Sequence, residues 1–376
     1  MIKVLFSTTS FDTIDNGPAL FANLLYNNLE NSNECDVRFI TEDVQNVLLK
    51  RPKIYRLKLE QNKWNRFFYQ FFRMVRYHKS AREIKKIFNY DCLVYNNAFT
   101  GVLSAIKCKK KVVVMVNDDN KLAYKNKKFH LAKTFFKYKT LYYLERKAVQ
   151  NANTVIVNSK YMQSLLRETY NISNEKIKTL VKGIDINKYK FRLREKFNDP
   201  VHVLFVKADY KRGGLFDLID ALSTVDICKV KLSIIGPPLS TLNSIKDYMD
   251  QKGLKNYDLN GPLHPHKVKF YFNEADIFCV PSHKEALGVA NMEALASGLP
   301  VISTNVGGIP EVLDYGKCGW LVAPNDSEAL AEGIKECIEN TELRIKKSNF
   351  GYKHVQQFNS NNLIDNFLDI LKEVKL

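Results

Sequence analysis

The sequence predicts an α/β protein of two domains, each built on a parallel sheet, and three observations carry that prediction. The chain has 376 residues, too many for one ordinary domain and right for two of roughly 150 to 200 residues each. Apolar runs of strand length alternate with helix-length segments throughout, the pattern of βα units. Hydrophobic residues make up 45% of the chain, enough for two cores, and no internal repeat or low-complexity tract interrupts them. A cleft between two such domains is the default expectation.

In the first half, residues 2–7 alternate like a strand, Asn16 and Gly17 make a turn, and 19–29 carry helical apolar spacing. Residues 37–40, 92–95 and 112–116 are further strands of the same sheet. Asn117, Asp118 and Asp119 follow the last of these, and polar residues at strand ends suit a pocket. Asp118 serves equally well as a helix N-cap.

The second half opens with a buried-strand run at 201–206, followed by Lys207 and the basic turn Lys211, Arg212, Gly213, Gly214, then a helix over 214–222. Residues 230–235 form the next strand, and Gly261, Pro262 and Leu263 follow a further short one. Residues 277–280 are another apolar run. Near the end, Leu363, Ile364, Phe367, Leu368, Ile370 and Leu371 mark one face of an amphipathic helix.

Chemistry concentrates in residues 281–311, PSHKEALGVANMEALASGLPVISTNVGGIPE. Glu285 falls in a loop, and Glu293, eight positions on, falls in a segment whose Ala, Leu and Met residues favour helix. Amides free at that helix start, aided by its dipole, attract phosphates. The two carboxylates are left to grip hydroxyls, Glu285 those of a sugar and Glu293 those of a ribose. Two arbitrary glutamates would more often be a helix cap and a solvated surface charge, but the surrounding residues reverse that balance.

Those residues strongly resemble the signature of the retaining glycosyltransferases of family 4. Pro281, Ser282, Glu285, Gly288, Glu293, Ala294, Ala296, Gly298, Pro300, Val301, Gly307, Gly308 and Glu311 match it in register. The resemblance implies the GT-B architecture, two Rossmann-like domains whose parallel sheets face each other across a cleft. It puts the acceptor-binding domain at 1–183 and the nucleotide-sugar domain at 184–357, with Gly183, Ile184 and Asp185 at the boundary and a last helix, 358–376, packing back on the first domain. Lys207 and Arg212 take the positions that grip the donor diphosphate, with the family's two residue types exchanged; Lys is a point charge and Arg a planar fork. Lys211 competes with Arg212 for that place.

Ala286, Leu287 and Gly288 would offer backbone contacts to the donor, Leu287 standing where an aromatic is usual. Pro262 and Leu263 would meet the base, and Gly17 the phosphates or acceptor, Asn16 replacing the first glycine of the family's pair. Asn117 stands where the family has a histidine facing the sugar, beside Asp118 as an acceptor contact. The resemblance implies retention of anomeric configuration; no obvious nucleophile sits in the motif, which favours front-side attack with a donor phosphate oxygen taking the acceptor proton. No Asp-x-Asp cluster ends a strand in the second half, so no metal and no cofactor is expected beyond the donor, a UDP-sugar in preference to a GDP-sugar. A sugar-nucleotide epimerase or hydrolase of the same fold, and a non-catalytic basic binding protein, are the rival readings.

Net charge is +17 and unevenly spread: residues 1–190 hold 35 Lys and Arg against 16 Asp and Glu, whereas 191–376 hold 22 against 24. Two basic segments, 64–79 and 121–147, interleave aromatic with cationic residues, a composition that favours an anionic membrane surface. A core helix with a solvated basic face is the plainer alternative. No nucleic-acid motif accompanies them, so nucleic acid is not an expected partner. The preferred expectation is a glycan or lipid-linked acceptor. The seven cysteines are odd in number and lack CxxC spacing, which reads as reduced thiols. With neither a signal-peptide pattern nor ~18 consecutive apolar residues, the expectation is a cytoplasmic protein, peripheral at the inner membrane face.

Overall fold

The computed structural model describes residues 1–11, 17–42, 53–57, 69–118, 132–225 and 230–375. The chain divides into two compact units, Met1–Lys182 with Asn362–Leu376, and Gly183–Asn361.

The first unit runs β1 (Ile2–Thr8), α1 (Gly17–Leu29), β2 (Cys35–Thr41), β3 (Ile54–Arg56), α2 (Tyr69–Ile87), β4 (Cys92–Tyr95), α3 (Val102–Lys107), β5 (Lys111–Val116), α4 (Ala132–Asn151), β6 (Thr154–Val157), α5 (Lys160–Tyr170) and β7 (Ile177–Thr179). Among the described residues its strands form one sheet in the order β3-β2-β1-β4-β5-β6-β7, every pair parallel. Helices cover both faces of such a sheet, which is why β4 and β6 are buried at every position and apolar at all but Thr154. The strand order reverses between β1 and β4. Ligands of open α/β sheets gather outside the carboxyl ends at such a reversal.

The second unit repeats the plan with β8 (Val201–Val206), α6 (Leu215–Thr224), β9 (Val230–Ile235), α7 (Leu242–Gln251), β10 (Tyr257–Leu259), α8 (Pro265–Glu274), β11 (Ile277–Val280), α9 (Val289–Ala296), β12 (Val301–Thr304), α10 (Ile309–Val312), β13 (Trp320–Val322), α11 (Ser327–Glu339) and α12 (Thr341–Val355). Its described strands order as β10-β9-β8-β11-β12-β13, again parallel. The reversal here falls between β8 and β11.

The chain then returns to the first unit as α13 (Leu363–Lys375). Its apolar face is the one that the sequence spacing marks. Phe367 and Leu371 are fully buried in the first core with Phe6, Phe21 and Phe39, and Phe367 meets Phe21 edge-on, ring centroids 5.5 Å apart.

The two basic aromatic segments are partly helical, in α2 and α4; residues 64–68 and 121–131 lie outside the described residues, as do Asn16 and Asp119. Six described cysteines are free thiols, all but Cys108 buried. Among the described residues no helix is long and apolar enough to cross a membrane.

Candidate functional site

Of the twelve residues singled out from the sequence, Gly17, Asn117 and Asp118 belong to the first unit and the other nine to the second. In the second unit, loops from β8, β11 and β12 converge where the strand order reverses. Their convergence depends on two glycines. Gly214 has φ +70°, and a Cβ there would lie 2.0 Å from the Pro281 carbonyl oxygen. Gly307, φ +58°, would put a Cβ 1.6 Å from the Glu285 carbonyl oxygen. Neither the backbone conformation nor the close approach tolerates a side chain.

Lys207, the first residue past β8, forms an ion pair with Glu285 in the loop after β11 and donates to Ser282 Oγ at 3.1 Å. Glu285 Oε1 also accepts from its neighbour's amide, Ala286 N, at 3.1 Å. The cation and carboxylate read from the sequence as contacts to different parts of one ligand therefore hold each other in this structure. Arg212 sits in the adjoining turn, its Nε 3.9 Å from Asp209, and its carbonyl accepts from His283 N at 2.8 Å. His283 in turn lies 2.6 Å from Asp217 Oδ2 on α6, which ties the basic turn to the Glu285 loop.

Gly288 caps α9 in a left-handed conformation. Leu287 just before it is buried and anchors the loop, while Ala286 is half-buried. Lys207, Ser282, the 285–288 loop and the start of α9 thus form one cluster with a cation, a carboxylate and helix amides. Pro262 and Leu263 lie on the same sheet edge but beyond β10, two strands from Lys207. The Gly236 amide donates to the Gly261 carbonyl at 3.1 Å and so joins the loops after β9 and β10.

Glu293, one turn into α9, accepts from the Tyr189 hydroxyl. Burial pushes its carboxyl above the usual range, while the Tyr189 bond and the charge of Lys269 pull it partly back. Tyr189, His283 and Asp217 were not visible in the sequence as site residues. Tyr189 and Glu293 are 104 positions apart, and no local spacing connects them.

The first unit has its own polar cluster at the carboxyl edge. Asn96, Asn117 and Asn158 are each the first residue past neighbouring strands β4, β5 and β6. Asn117 Nδ2 donates to the Asn96 carbonyl at 2.6 Å, Asn158 Nδ2 to the Asn117 carbonyl at 3.0 Å, and Asn96 Nδ2 reaches Thr8 Oγ1 at 3.4 Å. Lys182, three residues past β7, donates to Asn117 Oδ1 at 2.6 Å and reaches Asn96 Oδ1 at 3.4 Å. Its ammonium also stands 4.7 Å from the centre of the Phe21 ring. Burial lowers the Lys182 pKa from 10.5 to about 7. Asp118 is half-buried beside this cluster, and Gly17 heads α1. Lys182 and Asn96 are further residues that sequence reasoning missed.

Two family descriptions match the chain: "Glycosyl transferases group 1" over residues 185–354 and "Glycosyltransferase Family 4" over 16–188. The capsular polysaccharide biosynthesis glycosyltransferase CapM of Staphylococcus aureus is 30% identical over 246 residues, 61% of this chain. That match spans 63% of the relative's own length. Sucrose-phosphate synthase from Thermosynechococcus elongatus superposes with a TM-score of 0.82 at 16% identity, over 100% of this chain and 99% of that one. HepE from Anabaena, solved in complex with UDP-glucose, gives 0.75 at 19% identity over 99% and 100% of the two chains. These likenesses show the GT-B fold.

Proposed function

Because the chain belongs to the group 1 glycosyltransferases of family 4, a retaining GT-B family, we propose that it moves a hexose-type sugar from a nucleotide diphosphate sugar to a hydroxyl of a glycan or lipid-linked acceptor. Configuration at the anomeric carbon is retained. The second unit takes the donor, UDP-sugar in preference to GDP-sugar, and the first unit takes the acceptor. The observation that carries this reading is the Lys207–Glu285 pair beside Ser282 and the α9 amides. The UDP-glucose held by HepE supports the choice of nucleotide, and the capsular role named for CapM supports cell-surface polysaccharide synthesis as the setting.

The acceptor oxygen attacks the anomeric carbon as the bond from that carbon to the diphosphate breaks. The bonding pair leaves on the phosphate oxygen, and the acceptor proton follows it there. Negative charge grows on the diphosphate, where Lys207, Arg212 and the amides near Gly288 stabilise it by preorganised electrostatics. Glu285 orients the sugar and does not attack it, because its carboxylate is committed to Lys207 and Ala286 N. Glu293 serves the ribose. The cations replace a metal at the diphosphate, so chelators leave turnover unchanged.

Thermal-shift titration with UDP and GDP tests the donor reading: UDP at ~100 times its dissociation constant stabilises the fold by ~2.7 kcal/mol. Absence of any shift with either nucleotide would overturn it. Product analysis with and without acceptor separates transfer from epimerisation or hydrolysis.

The exposed Phe71 and Phe72 at the start of α2, together with exposed Arg76, Lys79 and Arg82, support docking on an anionic membrane surface at the cytoplasmic face. Co-sedimentation with phosphatidylglycerol vesicles at low salt, lost at high salt, is the expected result.

A further inference from the structure

Lys182 is a cation that no anion among the described residues pairs. Its ammonium is contacted by two amide oxygens, Asn117 Oδ1 and Asn96 Oδ1, and by the Phe21 ring. No carboxylate, imidazole or second cation among the described residues pairs with it, and burial alone accounts for its lowered pKa. Among the described residues, α1 and the ends of β4 and β5 bring one aromatic ring and two amides into contact with it, and Asp118, next to Asn117, is half-buried beside the cluster. Amides and a ring solvate an ammonium but leave its net charge uncancelled.

The position matters as much as the charge. Asn96 follows β4 at the strand reversal of the first sheet, and Asn117 follows the adjacent β5. Ligands of open parallel sheets collect at that place. The amides supply donors and acceptors for hydroxyls. Asn158 adds a buried side-chain oxygen, Oδ1, that has no hydrogen-bond partner, and buried polar atoms of this kind call for an explanation, an incoming ligand being one. A saccharide with hydroxyls and one oxyanion fits this set better than a neutral saccharide does.

We propose that Lys182, framed by Asn96 and Asn117, forms an acceptor subsite that selects a saccharide bearing an oxyanion, the carboxylate of a uronic acid or the phosphate of a phosphosugar, next to its hydroxyls. This rests on the reading of the first unit as the acceptor side and names the substrate class for it. The lowered pKa adds a consequence: the subsite is charged and selective below about pH 7 and loses its selectivity as pH rises above that value.

The test uses the full chain saturated with UDP, so that the cations of the second unit are occupied. D-Glucuronate, D-glucose 6-phosphate and D-glucose compete in saturation-transfer NMR at pH 6.5 and pH 9. At pH 6.5 we expect at least one acidic sugar to bind fivefold or more tighter than glucose, with the preference fading at pH 9. Glucuronate in first place assigns the carboxylate, glucose 6-phosphate the phosphate. In Lys182→Met, checked for an unchanged far-UV circular dichroism spectrum, the preference disappears. Equal binding of the three sugars by the wild type at pH 6.5, a preference that persists at pH 9, or one that survives in Lys182→Met overturns the proposal. The wild-type pH comparison stands even if the variant does not fold. The UDP thermal shift on the same preparation judges the transferase reading separately, since the sugar panel can be repeated without nucleotide.

Discussion

Lys207 and Lys182 both stand just past the carboxyl end of a parallel strand, near the place where each sheet reverses its order, but they are held in different ways. Lys207 meets a carboxylate, Glu285, and a hydroxyl, Ser282. Among the described residues Lys182 meets amide oxygens and an aromatic ring and no carboxylate. A carboxylate cancels the charge of its partner, so Lys207 and Glu285 form a neutral pair, which the proposed donor would have to open. Amides leave the charge in place, so burial acts on Lys182 unopposed and moves its pKa. The carboxyl edges of the two sheets thus hold an ion pair in one unit and, in the other, a titratable cation that no described carboxylate pairs.

The largest expected effect breaks the scaffold of the neutral pair. Gly307→Val drives a Cβ into the Glu285 carbonyl and imposes a β-branched side chain at φ +58°. We expect a loss of about 4 kcal/mol in urea unfolding, at the upper end for single substitutions, and no UDP-induced thermal shift. Unchanged UDP binding in this variant would show that the Glu285 loop is not part of the donor site.

Next comes Lys207→Ala, which removes the cation and leaves Glu285 unpaired where, on the proposed reading, the donor diphosphate would sit. Donor turnover should fall ~10²- to 10³-fold, the usual cost of losing one preorganised donor. Adding Glu285→Ala to it removes the unpaired carboxylate, so UDP affinity, measured by calorimetry, should partly recover. Strict additivity of the two substitutions in that cycle would mean that the pair does not act as a unit.

The two edges also differ in how much of them the sequence discloses. The Lys207 edge is legible because its glycines, carboxylates and helix start fall within one 31-residue stretch and one basic turn, where steric demands at Gly214 and Gly307 force particular residue types into fixed spacing. The strands were legible for a similar reason: both sheets are covered on two faces, so β4 and β11 are unbroken apolar runs and β6 is apolar but for Thr154. The Lys182 edge was only half visible. Asn117 could be read from its place at a strand end, but Lys182 comes to it from 65 positions away, and a lysine near a domain end looks like any solvated charge. Tyr189 was hidden in the same way. Contacts made by tertiary packing alone leave no periodicity to read.

A third prediction separates the two lysines by pH. Between pH 7 and 10.5 the unfolded chain holds a proton on Lys182 that the folded chain has shed, so this group makes stability rise with pH across that window. Below pH 7 both states are protonated and its burial cost is constant. Lys182→Met removes the term. The stability of the variant relative to wild type should therefore fall as pH goes from 7 to 10, by about 1.4 kcal/mol per pH unit at most. A flat difference across that range would show that Lys182 is as protonated when folded as when unfolded.

Glu293 is the acidic counterpart of Lys182, a buried charge held by a neutral hydroxyl, and it gives the smallest and most discriminating test. Burial raises its pKa, with Tyr189 and Lys269 opposing the rise. A carboxyl whose folded pKa is raised favours the folded state below its unfolded pKa of about 4.5 and loses that advantage as pH climbs through the folded value. Tyr189→Phe removes the hydroxyl that stabilises the ionised form, so the pKa rises further and more is lost at high pH. We expect a deficit of about 1 kcal/mol at pH 8, the usual net worth of one hydrogen bond, shrinking toward pH 4.5 where the carboxyl is protonated in either protein. Urea unfolding at the two pH values measures it. A deficit equal at both would assign Tyr189 a packing role, through its edge-on contact with Phe272 at 6.0 Å, and would mean that a neutral neighbour does not govern the ionisation of Glu293.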